Sequence, residues 1–313
     1  MPKGTQYQDV ALTNVAVGYK NTDLIADQIF PTISVPKQSG KIYKFSKEAF
    51  RLLDDVRAPG TVSNRVKSYS VSSDTYFCDN HAMHDVVPNE DKVNADAVIQ
   101  PEVSMTEGLT DLMMLRREYK LAAYLFNTTT FAGRYTARTG TARWNDYTNS
   151  DPIADADTAK ENVRKASGAK ANAAIMGAAV YNKLKRHPQL LDMFKYTAGG
   201  VLTQQQVAEA LGIDRLLVGN AIYVSSAEGA ATETTADVWG KYCLFAYIAK
   251  VPEIRRPSLG YGYTWQTGVG GYQVNREELG PSQGHGTFIE VMKYFDDIVH
   301  STDFGYLWST IID

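Results

Sequence analysis

Cysteine is nearly absent: the 313-residue chain has two, Cys78 and Cys243. They lie far apart in sequence and neither sits in a C-x-x-C spacing. That excludes a disulfide-framed scaffold and makes two buried, reduced thiols the expectation. No run of about 18 apolar residues occurs, so no segment is expected to span a membrane. The first six residues, Met1 to Gln6, lack the apolar core of a secretory signal, which points to a protein made and used in a cytoplasm. Neither sign of charge is in excess: 32 Lys and Arg stand against 35 Asp and Glu, for a net charge of −3. Non-specific nucleic-acid binding calls for a clearly basic surface, and this composition supplies none. No G-x-x-x-x-G-K-[ST] phosphate loop is present. A hydrophobic content of 44% and a charged content of 21% are those of an ordinary globular chain, long enough for one large or two ordinary domains with a real core.

The chain is rich in tyrosine, with 19 against 11 phenylalanines and 4 tryptophans. Tyrosine suits half-wet surfaces such as subunit contacts, and it is equally a good strand residue. The most informative passage is 36–88. It reads as two long strand-like arms, Lys37 to Phe45 going out and Asn64 to Phe77 returning. In the return arm Tyr69 and Val71 alternate with Ser68, Ser70 and Ser72, the period of a strand with one apolar face. Arms of about 20 residues reach roughly 60 Å. A lone hairpin of that length is marginal in water, so a neighbouring subunit is the natural support. Its charged tip and return arm supply the candidate inter-subunit contacts: Arg51, Asp54, Asp55, Arg57, Arg65 and Lys67. The alternative is a set of solvated charges on a mobile tip, since exposed pairs contribute little.

The rest reads as a mixed helix and sheet protein. Asn21 to Phe30 is a short amphipathic stretch stopped by Pro31, an arm that docks elsewhere. Pro101 to Phe126 predicts one long helix, with Pro101 at its first position and Met105, Leu112, Tyr119 and Phe126 recurring as its apolar stripe. Further helices are expected at Thr158–Ala166 (Asp157 as cap), Ala178–Arg186 and Thr203–Leu211. Strands are expected at Asn172–Gly177, Arg215–Ser225, Lys241–Ala249, Tyr261–Gln266 and Thr287–Phe295. Gly305–Trp308 and Ile311 are expected to continue the last sheet.

Chemistry-bearing motifs are weak. Gly280-Pro281-Ser282-Gln283-Gly284 matches G-x-S-x-G on paper, with His285 beside it, but a nucleophile elbow needs a strand before the serine and a helix after it. Thr267 to Gly271 follows a strand yet opens no helix, so a turn is the better reading. His81 and His84, with Cys78, Asp79 and Asp85 nearby, form a tempting metal set, but polar residues also belong where a hairpin returns to its core. No catalytic, cofactor or metal residue is assigned.

The order of parts resembles the major capsid protein of tailed double-stranded DNA phages. Three passages carry the resemblance. One is Ala26-Asp27-Gln28-Ile29-Phe30-Pro31 leading to Lys41-Ile42-Tyr43-Lys44-Phe45. Another is Asp151-Pro152-Ile153-Ala154-Asp155 opening a helix, then Asn172 to Gly177 and a helix ending at His187-Pro188. The third is the C-terminal sheet with Phe295-Asp296-Asp297 and Gly305-Tyr306-Leu307. The resemblance implies an α+β phage capsid fold of the Hong-Kong-97 type: an N-terminal arm (1–35), an extended hairpin loop (36–88), a peripheral domain with a spine helix (89–150 and 250–313) and an axial domain (151–249). It implies hexamers and pentamers closing an icosahedral head around double-stranded DNA, in a virion assembled in the host cytoplasm. Its partners would be a portal, a separate scaffolding protein and a decoration protein, with no cofactor. Some capsids of this kind cross-link a loop lysine to a neighbour's asparagine, for which Lys41, Lys44, Lys67 and Asn275 are the candidates. Encapsulin nanocompartment shells share the fold and stay open as an alternative, as does a soluble α+β enzyme.

Overall fold

The computed structural model describes residues 7–19, 21, 23–44, 52, 55–63, 70–95, 100–194, 201–266, 271–280 and 285–313. The chain opens with β1 (Tyr7–Gln8), α1 (Val10–Gly18), α2 (Ala26–Ile29) and β2 (Thr32–Val35). Asp9 caps α1 by accepting hydrogen bonds from the Ala11 and Leu12 amides at 2.9 and 3.1 Å. This helix is unexpected, because its valines read as strand residues and hide its period. The N-terminal segment docks on its own chain: β1 pairs with a later strand, Leu12 and Ala16 of α1 are buried, and so are Ile25, Ala26, Ile29 and Phe30.

Next come the hairpin strands β3 (Ser39–Lys44) and β4 (Ser70–Phe77), then β5 (Asp79–Pro88), α3 (Asn89–Asn94) and α4 (Pro101–Leu125). The expected spine helix is therefore present over almost the predicted span, but its buried face differs. Thr106, Leu109, Thr110, Met113, Arg117, Glu118, Leu121, Ala122 and Leu125 are buried, while Leu112 is 53% exposed. A strict seven-residue recurrence drifts by about 20° per heptad round a straight helix, so the stripe beginning at Met105 slides off the packed side. Buried polar residues fill the true face and disguise it.

The second half contains β6 (Tyr135–Ala137), α5 (Pro152–Ser167), β7 (Ala173–Gly177), α6 (Ala178–Leu184), α7 (Pro188–Met193), α8 (Gln204–Ala210), β8 (Arg215–Gly219), β9 (Ile222–Val224), β10 (Thr235–Asp237) and β11 (Cys243–Ala246). It ends with β12 (Gly260–Trp265), β13 (Tyr272–Glu278), β14 (Gly286–Val299) and β15 (Gly305–Ser309). Helix α5 starts earlier than its apolar period alone indicates. Asp151, not Asp157, caps it, accepting from the Ala154 amide at 2.9 Å, and Pro152 takes the first turn.

Two principal sheets result. In the first, β14 is the hub: it pairs with β5, β12 and β13, while β1 joins β13 and β2 lies parallel to β12. The second has the order β6-β15-β11-β7-β8. Gly305–Ser309 thus leaves the sheet it was expected to extend and pairs with Cys243–Ala246 on one side and Tyr135–Ala137 on the other. All five of its residues are buried, which requires a sheet covered on both faces. One face of this second sheet packs under α5, α6 and α8 around Trp144, Val163, Val180, Val207, Phe245 and Trp308. Its other face meets the end of α4 and the α2 segment through Leu121, Leu125, Ile29, Phe30, Leu244 and Leu307. Each such fully buried leucine or isoleucine contributes about 1.5–3 kcal/mol. Trp239 wedges between the sheet and α4. A Cβ on Gly219 would overlap its indole ring and one on Gly177 its carbonyl, so both positions are held to glycine by close approach.

Candidate subunit interface

The hairpin is built in two parts with different physics. Its base is rooted in the first sheet. Tyr76 stacks on Tyr263 with ring centroids 4.5 Å apart and planes 7° apart. The Tyr263 hydroxyl and His300 Nε2 share a hydrogen bond of 2.7 Å. The Phe77 amide donates to Asp296 Oδ2 at 2.9 Å, and the Cys78 amide to the Gln38 carbonyl at 2.9 Å. Strand pairing runs from Ser39↔Phe77 to Lys44↔Ser70, with a register irregularity between Lys41 and Tyr43. At Asp79 the chain enters the main sheet, so the free hairpin ends at Phe77 and residues 79–88 form the ladder with β14.

Beyond the base the described residues are uncovered. Leu52 is 99% exposed, Val56 80% and Val62 93%. Asp55 and Arg57 lie exposed between them. The other candidate contacts, Arg51, Asp54, Arg65 and Lys67, fall outside the described residues, as do Ser282 of the serine motif and most of the Thr267–Gly271 turn. A second ribbon, β9 with β10, also exposes apolar residues, Ile222 and Val224, and the connecting loop is exposed.

Where α2, α4 and β14 meet, a buried charge cluster ties the halves together. Arg117 makes a bidentate pair with Asp297, Nε to Oδ2 at 2.7 Å and Nη2 to Oδ1 at 2.8 Å, and its Nη1 pairs with Asp27. Gly262 makes room for that pair, since a Cβ there would sit 2.8 Å from Asp297 Oδ1. Although burial works against it, the two carboxylates hold the guanidinium charged and raise its pKa. The adjacent Glu118 is fully buried and accepts from the Ala26 amide at 2.7 Å, the Ile25 amide at 3.1 Å and Trp239 Nε1 at 2.5 Å. Burial raises its pKa against the opposing pull of these donors and Arg117. The hydrophobic pattern could not show this cluster, because charged residues in a predicted helix are read as its wet face.

Alternation places Ile289, Val291, Lys293, Phe295 and Asp297 of β14 on the side facing α4. Between them, α1, α2 and α4 lies a cavity of about 450 Å³, lined by Met113, Met114, Leu24, Tyr272, Lys293 and Phe295 among others. Lys293 Nζ sits 4.3 Å from the Tyr272 ring centroid, and burial, with Arg117 nearby, pulls its pKa down to about 8.

The tempting histidines do not converge. His81 stacks on Phe295 and His84 on Phe288, on opposite faces of β5, because an odd spacing on a strand points side chains apart. Among the described residues no three His, Cys, Asp or Glu are placed to hold a metal ion. Both cysteines are buried and free, as expected, and burial raises the Cys78 thiol to about 11. Asn275, the candidate acceptor for a cross-link, is half-buried and donates to Glu290 at 2.9 Å. Ser150 Oγ and His187 Nε2 are 3.0 Å apart, but both are buried and among the described residues Nδ1 of His187 has no hydrogen-bond partner to orient the ring as a base.

The two-sheet body roots a hairpin whose described outer residues Leu52, Val56 and Val62 are exposed. Residues 132–241 match the family described as phage major capsid protein E. The chain is 30% identical over 259 residues to the major capsid protein of Burkholderia phage BcepMu, covering 82% of each. It is 25% identical to the major capsid protein of Pseudomonas phage JBD67, covering 97% of each. Among solved structures, a phage-related protein of Bordetella bronchiseptica RB50 superposes with a TM-score of 0.75 at 27% identity, covering 97% of each chain. The mature capsid of bacteriophage PhiM1 and the SrpI encapsulin of Synechococcus elongatus share the fold at a TM-score of 0.54 and 13% identity. The chain belongs to the phage major capsid protein family, with the Hong-Kong-97-type α+β fold, and is as such a structural component of the virion.

Proposed function

We propose that this chain closes into the icosahedral head of a tailed phage, as hexamers and pentamers around double-stranded DNA, and that its work is assembly rather than catalysis. The observation that carries this reading is the hairpin: a rooted base with exposed Leu52, Val56 and Val62 at its far end. Such residues gain only when a neighbour covers them. The hairpin lies across the adjacent subunit in rings whose head-to-tail contacts close by rotation. The second sheet and the β9–β10 ribbon form the axial part, pointing to the capsomer centre, and α4 with the first sheet forms the peripheral part. A mild net charge of −3 suits a wall that does not grip its genome. A separate scaffolding protein sets curvature in the host cytoplasm, a portal occupies one vertex, and a decoration protein is a further candidate partner.

Electron microscopy of the purified chain, alone and co-expressed with the phage's other head proteins, tests this reading alongside size-exclusion chromatography. Closed shells or capsomer rings are expected. A monomer at all concentrations, even with those proteins present, overturns it. A shell filled with a cargo enzyme would transfer the chain to the encapsulin role.

A further inference from the structure

Strand β5 has one edge paired with β14 and, among the described residues, one edge open. Backbone parity shows which groups face out. The amides of Phe77 and Asn89 point to the β14 side, donating to Asp296 and to the His285 carbonyl. Those of Cys78 and Val86 point the other way, to the Gln38 carbonyl and to the chain's own Asp85 at 2.8 Å. The register with β14 is unbroken from Asp79 to Pro88, so the even-numbered residues present their N–H and C=O groups outward. The outer edge is thus blocked at residue 78 by Gln38, at 86 by Asp85, and at 88 by a proline that has no N–H. Asn80, Ala82 and His84 lie between these blocks, and their amides have no partner among the described residues. The strand carries no lysine or arginine, the usual guard of an open edge.

Beside this window lies a recess of about 180 Å³, lined among others by Asn80, Ala82 and Met83 of the strand and by Arg116 and Lys120 of α4, and by no carboxylate. Arg116 and Lys120 are exposed, one helical turn apart, and form no ion pair among the described residues; Arg116 leans over the Tyr119 ring. Asp79, Asp296 and Asp297 line the neighbouring recess. Arg117 holds Asp297, and Asp296 accepts the Phe77 amide. Asp79 marks the end of the window, where an incoming carboxylate is repelled. Four residues of helix rise about 6 Å. Alternate residues of a strand are about 6.6 Å apart. Carboxylates at positions i and i+2 of an added strand therefore match the two cations. The chain's own hairpin does not: its arms carry Lys37, Lys41, Lys44, Arg65 and Lys67, and the adjacent Asp54 and Asp55 would point to opposite faces of a strand. We propose that the β5 edge at Asn80–His84 is a strand-addition site for an acidic extended segment of a partner protein, with Asp or Glu at alternate positions set against Arg116 and Lys120. Backbone hydrogen bonds supply affinity, and the two cations supply choice. The site belongs to the single subunit and does not depend on how many copies close a shell.

The test uses the full chain and two fluorescein-labelled peptides, one alternating threonine with glutamate and one alternating threonine with lysine. The acidic peptide is expected to raise fluorescence anisotropy and to slow amide exchange across residues 79–88, and the lysine peptide to do neither. Arg116→Glu combined with Lys120→Glu should weaken the acidic peptide at least tenfold and make the lysine peptide the better binder. Ala82→Pro removes an outward amide without touching the β14 ladder, the setting in which an edge tolerates proline, and should abolish binding of the acidic peptide. Ala82→Ser should bind as wild type, and circular dichroism checks that each variant is folded. Undiminished binding by folded Ala82→Pro overturns strand addition. Equal binding of the two peptides, or competition by short duplex DNA as strong as by unlabelled acidic peptide, overturns the acidic segment as occupant. So does an 80–84 window already protected from exchange in shells of the wild-type chain alone, since a second copy then fills it. None of these results bears on whether the chain builds a shell.

Discussion

Replacing Arg117 by methionine gives the sharpest test of what holds α4 and β14 to the N-terminal segment. The side chain is 10% exposed and its main partner, Asp297, 13% exposed, while Asp27 is 70% exposed. The two ion pairs therefore differ in weight. The Asp27 pair is screened by water and contributes about 0–1 kcal/mol. The Asp297 pair is bidentate and dry. Removing the guanidinium leaves a buried carboxylate without its bidentate partner, a loss of about 3–5 kcal/mol. At an unfolding entropy near 2.1 cal/mol/K per residue, a 4 kcal/mol loss lowers the midpoint by about 6 °C in a chain of this length. Scanning calorimetry of the unassembled subunit at neutral pH measures it. Asp27→Asn is expected to shift the midpoint by no more than about 1–2 °C on the same reasoning. The double variant Arg117→Met with Asp297→Leu removes both buried charges and should recover most of the loss. An Arg117→Met midpoint within 1–2 °C of wild type, or a double variant no better than the single, refutes the argument.

Other outcomes follow from the same geometry. Glu118→Gln keeps one acceptor oxygen where two now serve Trp239 and the backbone of residues 25 and 26, so its amide group faces a donor; about 1–3 kcal/mol of stability is expected to go, read by urea unfolding. Gly219→Ala drives a methyl into the Trp239 ring and should cost about 1–3 kcal/mol, with a change in tryptophan fluorescence reporting the displaced indole. Burial lowers the pKa of His187 below the ordinary imidazole value, so the unfolded chain binds the proton more readily. Its contribution is fully present above the unfolded value and lost as pH falls through the folded one. Denaturant midpoints at pH 7.5 and 5.0 should differ less in His187→Gln than in wild type, and an unchanged difference rejects this assignment.

The helices were legible where a cap or proline marked a start. Thr203 and Gln206 form a capping box that opens α8, and Pro101 opens α4, which ends at Leu125, one residue before the expected Phe126. Legibility failed where chemistry contradicted pattern. Helix α1 is built from valine and alanine with few polar residues, so no period stood out. The packed face of α4 carries Thr106, Thr110, Arg117 and Glu118, all buried; the threonine hydroxyls donate to carbonyls one turn back, while Arg117 and Glu118 are satisfied by partners far away in sequence. The transfer of residues 305–309 to the second sheet is likewise non-local, because a strand buried on both faces fits either sheet by composition. Of the candidate contacts, Asp55 and Arg57 are exposed.

The buried cluster also explains how one chain can root a hairpin and a second sheet on the same helix. Arg117 and Glu118 are neighbours on α4, yet they serve different elements. The first reaches β14, the strand that holds the hairpin base through Asp296, and the second reaches Trp239 beside the second sheet. Both also grip α2, through Asp27 and through the amides of Ile25 and Ala26. Displacing α2 would leave both charges short of partners, so α2 acts as a common wedge whose seating stiffens the two halves against each other. A subunit that must keep one shape while its hairpin and ribbon are uncovered needs such a joint, and charges satisfied only in one geometry make it more selective than apolar packing alone.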